Sequence, residues 1–350
     1  MKPLTRTLQC ESNFDAIGEP CRTAGPRTLN SELIADALPC RFAGDEFLDS
    51  TIAFENGTVV SLVHTEYPGN VYNSTGPTAP MCTIHAYPTC WTVTIGLAIS
   101  HDWGQTWKHA SPPPHHLVAA VPYGYNQSQL AYGWGDPSNI VKHPTDGFYY
   151  VAIWNRHQVG LQAPGICMMR SNALLDPSSW RAWDGKSYTK TLNASPYDLV
   201  PGTESDHICT VTNLPLGQIG DGRANEDHSD TGGAGGCAPA GLVWSTFLSK
   251  FVVTLGCGST FLWAHSEDLI TWSTPEELYN PRTDIANSSI ARMVTANNYP
   301  NLMDASAPKA FHDRNYYTIG ETAHLFWVSI GHSPETDGRH LWATPMKFSK

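Results

Sequence analysis

The sequence predicts an all-β fold, namely a five-bladed β-propeller, with six smaller blades as the alternative. Its 350 residues include 12 Trp, 14 Tyr, 29 Gly and 26 Pro, and only 15% of the residues are charged. This composition is typical of many short strands that are joined by tight turns. Turn signals also recur between apolar runs, and a phrase of Ser, an acidic residue and a closing Trp recurs along the chain, which indicates repeated sheets.

Four predicted hairpins set the order of the strands. They span residues 50–64, 139–154, 240–255 and 300–330, and a last strand is predicted over 341–348. The first two hairpins contain Asn56-Gly57 and Asp146-Gly147 between apolar runs. Such dipeptides are strong short-range hairpin signals. Each hairpin is expected to supply two strands of one blade.

The spacing of the closing tryptophans predicts the number of blades. Trp107, Trp180 and Trp272 lie 73 and 92 residues apart, and an underlying repeat of about 70 residues divides the chain into about five units. The Gly-rich insertion at 213–237 blurs this count, which leaves six blades open. The last blade is expected to combine the C-terminal strands with the N-terminal segment 1–44, because this closes the ring and removes exposed sheet edges. We therefore expect residues 1–350 to form a single propeller domain.

The charge and hydropathy of the chain exclude two classes of partner. The net charge is −11 and the pI is about 5.7. No cluster of Lys and Arg is present that would neutralise phosphates, so we expect no nucleic-acid partner. No apolar run approaches the roughly 20 residues that cross a bilayer, so we expect no membrane partner. The chain is expected to be a monomer.

Cysteines and glycosylation sequons favour an extracellular protein. The nine cysteines leave at least one unpaired within the chain. Cys10/Cys21 and Cys82/Cys90 lie close enough in sequence to form disulfides. Asn-x-Ser/Thr sequons stand at Asn56, Asn73, Asn126, Asn193 and Asn287. Together these features predict a secreted, disulfide-bonded glycoprotein.

The segment Ser100-His-Asp-Trp-Gly-Gln-Thr-Trp107 resembles the Asp-box, S-x-D-x-G-x-T-W, of sialidases and related propellers. In those families the box is a blade turn rather than a catalytic site. The resemblance implies that Asp102 accepts hydrogen bonds from N–H groups of the turn and that Trp107 packs between sheets.

A more diffuse resemblance covers most of the chain. Asp136-Pro-Ser-Asn-Ile-Val, followed by Asp146-Gly-Phe-Tyr-Tyr-Val, and Ser266-Glu-Asp-Leu-Ile-Thr-Trp272 are similar to blade motifs of five-bladed glycosidases of the arabinanase, xylosidase and invertase type. Those families use three carboxylates around the central axis. The resemblance therefore implies an acidic central site.

Propeller geometry predicts which side chains meet at the axis. In each blade, the start of the innermost strand and the end of the next strand lie at the same face, because the two strands are antiparallel. This rule brings Asp49, Glu66 and Asp136 together as candidate catalytic residues. Glycoside hydrolysis needs one carboxylic acid to protonate the leaving oxygen and one carboxylate to activate water or attack the anomeric carbon. Glu66 is the candidate acid, because apolar neighbours would raise its pKa.

Eight further residues are predicted to bind the substrate. They are His64, Tyr67, Trp134, Arg156, His157, His207, Tyr299 and Asp304. Polar tips can bond sugar hydroxyls, and aromatic rings stack on sugar faces. No histidine motif has metal-ligand spacing, so we expect no metal at the site and no cofactor. A structural calcium in the acidic loop 221–230 is the exception left open.

These features predict a glycoside hydrolase that acts on a poly- or oligosaccharide. A polysaccharide lyase is one alternative, with His64 or His157 and a Tyr abstracting a proton and Arg156 neutralising a uronate. A non-catalytic carbohydrate-binding propeller is the other, because a propeller fold hosts many functions. It is favoured by the segment near 236–239, which holds no carboxylate where the similar glycosidases place their general acid.

Overall fold

The computed structural model describes residues 2–3, 8–9, 30–31, 39–68, 91–126, 129–214, 237–257, 260–281, 294–304, 317–331 and 338–349. Their regular structure is almost entirely β-strand with short 3₁₀ helices, which confirms the all-β prediction. The chain divides into two compact units. We call Leu29–Leu216 the central unit, and Met1–Thr28 together with Gly217–Lys350 the terminal unit.

The described part of the central unit is a hydrogen-bonded network of 12 strands. The strands are β3 (Asn30–Ser31), β4 (Asp45–Ala53), β5 (Val59–Pro68), β6 (Trp91–Ser100), β7 (Thr106–His109), β8 (Leu117–Ala119), β9 (Tyr132–Gly135), β10 (Val141–Lys142), β11 (Tyr149–Asn155), β12 (Gly165–Ser171), β13 (Arg181–Trp183) and β14 (Tyr188–Lys190). Short 3₁₀ helices span Pro39–Arg41, Pro177–Ser179 and Glu204–His207.

Strand β9 joins two antiparallel sheets of the central unit. In the first sheet β4, β5 and β6 pair in sequence, and β7 and β8 both pair with β6. In the second sheet β11 to β14 pair in sequence, and β10 pairs with β11. β9 runs parallel to β6 at Tyr132 and Gly133, and antiparallel to β11 at Trp134 and Gly135. The chain leaves this junction directly into Asp136.

The terminal unit contains two further sheets. Its strands are β1 (Lys2–Pro3), β2 (Leu8–Gln9), β15 (Ala238–Ser245), β16 (Lys250–Cys257), β17 (Thr260–Ser266), β18 (Glu276–Tyr279), β19 (Val294–Met303), β20 (Thr318–Ile319), β21 (Thr322–Gly331) and β22 (Gly338–Lys347). One sheet orders β15 to β18 in sequence, with β20 parallel to β15. The other orders β19, β21 and β22, with β1 and β2 both antiparallel to β22.

The four predicted hairpins are confirmed as the pairs β4/β5, β10/β11, β15/β16 and β19/β21, and β22 covers most of the predicted last strand. Short-range turn signals between apolar runs suffice for these elements. β1 and β2 both pair with β22, whereas the expected ring closure stays a prediction. The number of blades and the single-propeller organisation remain predictions.

Each unit has its own apolar core. In the central unit, Trp134, Trp180 and aliphatic residues of both sheets pack together and are shielded from water. In the terminal unit, the rings of Trp327 and Trp342 stack at a centroid distance of 5.2 Å. Burial of such large apolar side chains is the main favourable contribution to folding.

The turns that carry the Ser, Asp and Trp phrase have the structural role that the sequence predicts. Oδ1 of Asp102 accepts hydrogen bonds from two backbone N–H groups, at 3.0 and 2.8 Å. The buried Trp107 donates its Nε1–H to a backbone carbonyl of the same turn at 3.0 Å. Asp268 and Trp272 repeat both features. The repeated phrase thus marks a repeated turn.

Two disulfides link residues that the sequence analysis did not pair, Cys167 with Cys209 and Cys237 with Cys257. Cys40 has a free, exposed thiol. Outside the described residues lie the predicted pairs Cys10/Cys21 and Cys82/Cys90, the sequons at Asn73 and Asn287, and the acidic loop 221–230. Within the described ranges, no helix has the length and hydropathy needed to cross a membrane.

Candidate active site

His64 and Glu66 lie on the same face of β5, because side chains two residues apart in a strand point the same way. Nε2 of His64 lies 3.0 Å from Oε1 of Glu66. The His64 side chain is buried, whereas the Glu66 side chain keeps 28% of its surface exposed. Across the sheet, Phe47 of β4 pairs with His64, and the two rings lie 6.1 Å apart. Glu66 is therefore open to a ligand, with an imidazole beside it.

Asp136 meets the other ring nitrogen of His64. The Asp136 N–H donates a hydrogen bond to Nδ1 of His64 at 2.9 Å, and Oδ1 of Asp136 lies 3.9 Å from the same nitrogen. Asp136 has a positive φ of 43°, a conformation that non-glycine residues seldom adopt and that is concentrated at functional sites. A Cβ on Gly135 would lie 2.8 Å from Cε1 of His64. Glycine at this position therefore permits the close approach of Asp136 to His64.

The hydrogen bonds of His64 fix its neutral tautomer. Because the Asp136 N–H donates to Nδ1, the neutral ring carries its proton on Nε2 and donates it to Glu66. Burial lowers the pKa of His64, but the hydrogen bond to Glu66 and the charges of Asp136, Glu66 and Asp49 outweigh this effect and raise the pKa. All three predicted catalytic carboxyls thus act on one imidazole.

Asp49 lies in a β-bulge of β4. The register between β4 and β5 shifts between Leu48 and Ser50, so Asp49 is the extra residue of the strand. A bulge changes the direction of the side chain that it carries. The hydroxyl of Ser50 donates to the carbonyl of Ser138, which ties this part of β4 to the segment that follows Asp136.

Asp49 and Asp136 have different electrostatic environments. Desolvation by burial, together with the negative charge of Asp136, raises the pKa of Asp49 to about 7, and the nearby His64 offsets part of this rise. By its accessible surface, however, Asp49 is an exposed residue, so a ligand can reach it and solvent reduces the size of this shift.

Cationic and hydrogen-bonding groups compensate the charge of Asp136. Trp154 donates its Nε1–H to Oδ2 of Asp136 at 2.6 Å, and Nη2 of Arg156 lies 3.8 Å from the same oxygen. The guanidinium of Arg156 also lies over the Trp154 ring, 4.9 Å from its centroid. Trp154 and Arg156 therefore hold the Asp136 carboxyl in place beside Asp49.

A cavity of about 660 Å³ opens in the central unit, and none of the three carboxyls is among its lining residues. Its lining includes Tyr123, Tyr125 and Asn126. The Tyr125 ring packs edge-on against Tyr67, the residue after Glu66, at a centroid distance of 5.0 Å. The Tyr123 hydroxyl accepts a hydrogen bond from a backbone N–H at 2.8 Å, which fixes its ring. Aromatic and amide groups around an open cavity suit a sugar ligand.

Of the predicted site residues, the structure brings five together, namely Asp49, His64, Glu66, Asp136 and Arg156. Two others require correction. Trp134 is fully buried in the core of the central unit, because β9 lies between two sheets, so its side chain cannot contact a substrate. Tyr67 is also buried, and it supports Tyr125 instead of contacting a ligand.

Two predicted histidines, His157 and His207, have hydrogen-bond partners outside these five residues. Nδ1 of His157 donates to the carbonyl of Ala131 at 2.6 Å, and Nδ1 of His207 to that of Thr191 at 2.7 Å, so both rings support local loops. No described hydrogen bond or ion pair links either ring to the five residues of the site.

Two predicted residues belong to the terminal unit. Tyr299 is half exposed, and Asp304 is buried and accepts the N–H of Gly320 at 2.9 Å. A substrate contact of these two residues remains a prediction.

Sequence reasoning missed Trp154 and Gly135 as site residues. The Trp154 side chain donates a hydrogen bond directly to Asp136. Gly135 has no side chain that would collide with the His64 ring. The rule that selects the ends of second strands points to this part of β11, so Trp154 could have been included. The role of Gly135 depends on a ring from another strand, and local sequence carries no signal for it.

Substitution of Asp49 by Asn is expected to change how stability depends on pH. The pKa of Asp49 is about 7 in the folded state, against the ordinary value of 3.8, so the folded protein binds this proton more tightly than the unfolded chain. The stabilisation from this proton is complete below the unfolded pKa and is lost as the pH rises through the folded one. The free energy of unfolding of Asp49→Asn should therefore increase relative to wild type as the pH rises from about 4 to about 7.

Urea unfolding at several pH values measures this difference. Glu55→Gln, a change of an exposed carboxylate in the β4–β5 turn, serves as the control. Curves for Asp49→Asn and wild type that stay parallel over this pH range would contradict the assigned environment of Asp49.

Comparison with known proteins finds similarity in structure alone. No family model matches the sequence, and no curated protein matches it significantly. One similar structure comes from the GH130 family of mannoside phosphorylases, which contains glycoside hydrolases that target β-1,2-mannosidic linkages in Candida mannan; identity is 14% and the TM-score is 0.44, over 90% of this chain and 71% of that chain. A glycosyl hydrolase from Bacteroides ovatus is 15% identical with a TM-score of 0.43, over 88% of this chain and 69% of that chain. The α-L-arabinanase of Penicillium chrysogenum, in complex with arabinobiose, is 10% identical with a TM-score of 0.43, over 91% of this chain and 62% of that chain.

All three TM-scores are below one half, so these similarities do not carry an activity over to this chain.

Proposed function

We propose that this protein is a glycoside hydrolase that cleaves a poly- or oligosaccharide by carboxylate acid and base catalysis. One observation carries the proposal: Asp49, with a pKa raised to about 7, lies near Asp136, whose charge is compensated by Trp154 and Arg156. A carboxyl with a raised pKa beside a second carboxyl that is held by a hydrogen bond and an ion pair is a suitable basis for acid and base roles.

The roles follow from these environments. Asp49 in its protonated form donates the proton to the glycosidic oxygen, so the leaving sugar departs as an alcohol. Asp136 acts on the anomeric carbon as an anion, through a water molecule or directly. The positive charge that develops on the sugar in the transition state is stabilised by the carboxylates around it. Asp49 thus takes the acid role for which sequence reasoning favoured Glu66.

Glu66 and His64 act as positioning residues in this proposal. His64 receives the Asp136 N–H on one nitrogen and donates to Glu66 from the other. This connection holds the loop of Asp136 against β5. The exposed part of Glu66 is available for a sugar hydroxyl, and the tyrosines of the cavity can stack on sugar rings.

The lyase alternative has weaker support. A lyase needs a base with a free lone pair to abstract a proton, and both nitrogens of neutral His64 already have partners. The other candidate base, His157, donates from Nδ1 to the carbonyl of Ala131, and no described bond joins its ring to the five residues of the site. The guanidinium of Arg156 is engaged with Asp136 and Trp154, although a uronate could compete for it. A purely carbohydrate-binding protein would not need a carboxyl with a pKa near neutrality.

We also propose that the protein is secreted and works as a monomer without a cofactor. The disulfides Cys167–Cys209 and Cys237–Cys257 support an oxidising compartment.

A product screen tests the proposed function. The purified protein is incubated with a panel of polysaccharides, oligosaccharides and aryl glycosides, and products are separated by chromatography with parallel detection of ultraviolet absorbance. We expect reducing-end products without a new absorbing double bond, and no products from Asp136→Ala, whose folded state is checked by circular dichroism. Unsaturated products would establish a lyase. Binding on a glycan array without product after long incubation would establish a carbohydrate-binding protein, and either result would exclude the hydrolase.

A further inference from the structure

A second polar cluster of the central unit lies away from the carboxyls of the proposed active site. It consists of Glu46 in β4, His109 at the end of β7 and His116 just before β8. Glu46 neighbours Phe47, which pairs with His64. Because adjacent residues of a strand point to opposite faces, Glu46 lies on the face of the sheet that is remote from His64 and Glu66.

The three side chains are held close together. Nε2 of His109 lies 2.7 Å from Oε1 of Glu46, and the rings of His109 and His116 lie 4.3 Å apart. One potential ligand atom from each residue lies within 4.8 Å of the others. The His116 residue is fully buried, and the side chains of Glu46 and His109 keep only 4% and 10% of their surface.

Two buried polar atoms of the cluster lack a hydrogen-bond partner. They are Oε2 of Glu46 and Nδ1 of His116. A buried polar atom without a partner is unfavourable and rare in folded proteins. A carboxylate oxygen and an imidazole lone pair are, however, the donor atoms that transition metals bind. A cation between the three side chains would satisfy both atoms at once.

The surroundings of His116 suit a metal ligand. Its Nε2–H donates to the carbonyl of Phe42 at 2.9 Å, so Nδ1 carries the lone pair. Metal-binding histidines usually hold their second nitrogen in this way. A Cβ on Gly96 would lie 2.8 Å from Cδ2 of His116, so glycine in β6 makes room for the ring.

We propose that Glu46, His109 and His116 bind one zinc ion. Two imidazoles and one carboxylate are a ligand set that zinc accepts, whereas calcium and magnesium prefer oxygen ligands alone. The ion would join β4, at the edge of its sheet, to β7 and to the start of β8. Its role would be to stabilise the sheet that also carries Asp49, His64 and Glu66.

Zinc titration of the tag-free full chain tests this proposal. The protein is stripped with a chelator, zinc chloride is added in a calorimeter, and bound zinc is counted by mass spectrometry after dialysis. We expect one zinc ion per chain, a higher melting temperature with zinc, and no competition from magnesium or calcium. Glu46→Gln preserves the shape of the side chain and should weaken zinc binding by at least about 10-fold.

Matched variants distinguish zinc binding at this cluster from zinc binding at other residues of the chain. His115→Ala changes the exposed neighbour of His116 and should leave the zinc affinity unchanged. His109→Gln should weaken zinc binding as Glu46→Gln does. If His109→Gln does not fold, the zinc affinity of Glu46→Gln is the result that tests the proposal. Absence of zinc binding to the wild type, or wild-type affinity in Glu46→Gln, would overturn the proposal. Neither result bears on the glycosidase assignment, because the substrate screen does not involve these residues.

Discussion

Asp49→Asn is expected to lower kcat on an oligosaccharide with a poor leaving group by about 100- to 10,000-fold, which is the range for loss of a general acid. The amide resembles the protonated carboxyl in shape, so the fold and the Asp136 loop should be retained. It cannot, however, deliver a proton to the glycosidic oxygen. The measurement is steady-state kinetics on the substrate identified by the product screen.

The leaving group distinguishes an acid from other roles. In a dinitrophenyl glycoside of the same sugar, the dinitrophenolate leaving group departs without protonation. Asp49→Asn should therefore retain activity on this substrate to within about 10-fold of wild type. Asp136→Asn should lose activity on both substrates, because Asp136 acts on the anomeric carbon. Glu66→Gln should lose less on the oligosaccharide than Asp49→Asn does. If Glu66→Gln instead shows the leaving-group pattern, Glu66 is the acid and the assignment to Asp49 is wrong.

The pH profile provides an independent check on Asp49. Its pKa of about 7 predicts that kcat/KM of the wild type declines as the pH rises through this value, since the acid must be protonated. Asp49→Asn should lack this decline in its residual activity on the oligosaccharide. A decline that persists in the variant would assign the titration to another group.

Gly133→Ala is expected to give the largest loss of stability, about 3 to 5 kcal/mol. Gly133 has a φ of +111°, and an added Cβ would overlap the carbonyl oxygen of Val93 in β6. Its N–H also donates to Oδ1 of Asn155 at 3.1 Å. A side chain would force β9 away from β6, and the loop of Asp136 would move with it. Chemical unfolding measures the change in the free energy of unfolding.

Gly147→Ala is the matched control. Gly147 also has a positive φ, of +80°, but an added Cβ would meet no atom within 4 Å. The control should therefore cost only the conformational penalty of about 1 to 2 kcal/mol. Equal losses in the two variants would show that backbone conformation alone, and not the contact with Val93, makes glycine necessary at position 133.

Local patterns predicted the strands well because they act over a few residues. The Asn56-Gly57 and Asp146-Gly147 turns lie where the sequence predicts hairpins. The bonding of Asp102 within its own turn was also predictable, since all its partners lie within four residues.

Predictions about individual side chains were less uniform. Trp134 was predicted to bind the substrate, yet its side chain is buried, whereas Tyr125 of the same segment lines the cavity. Composition cannot separate these two outcomes, because both residues belong to the same aromatic segment. Which ring faces the core depends on the strand that packs against it.

The sequence alone determined the all-β class, the hairpins and the identity of the acidic residues that meet near His64. Only the tertiary structure decided that the raised pKa belongs to Asp49, that Trp154 and Arg156 hold Asp136, and that Glu46 meets two histidines. The physical reason is the distance along the sequence over which each interaction acts. Turn formation and strand alternation depend on neighbours in sequence, whereas desolvation, charge coupling and metal-ligand geometry depend on side chains that strand pairing brings together from distant parts of the chain.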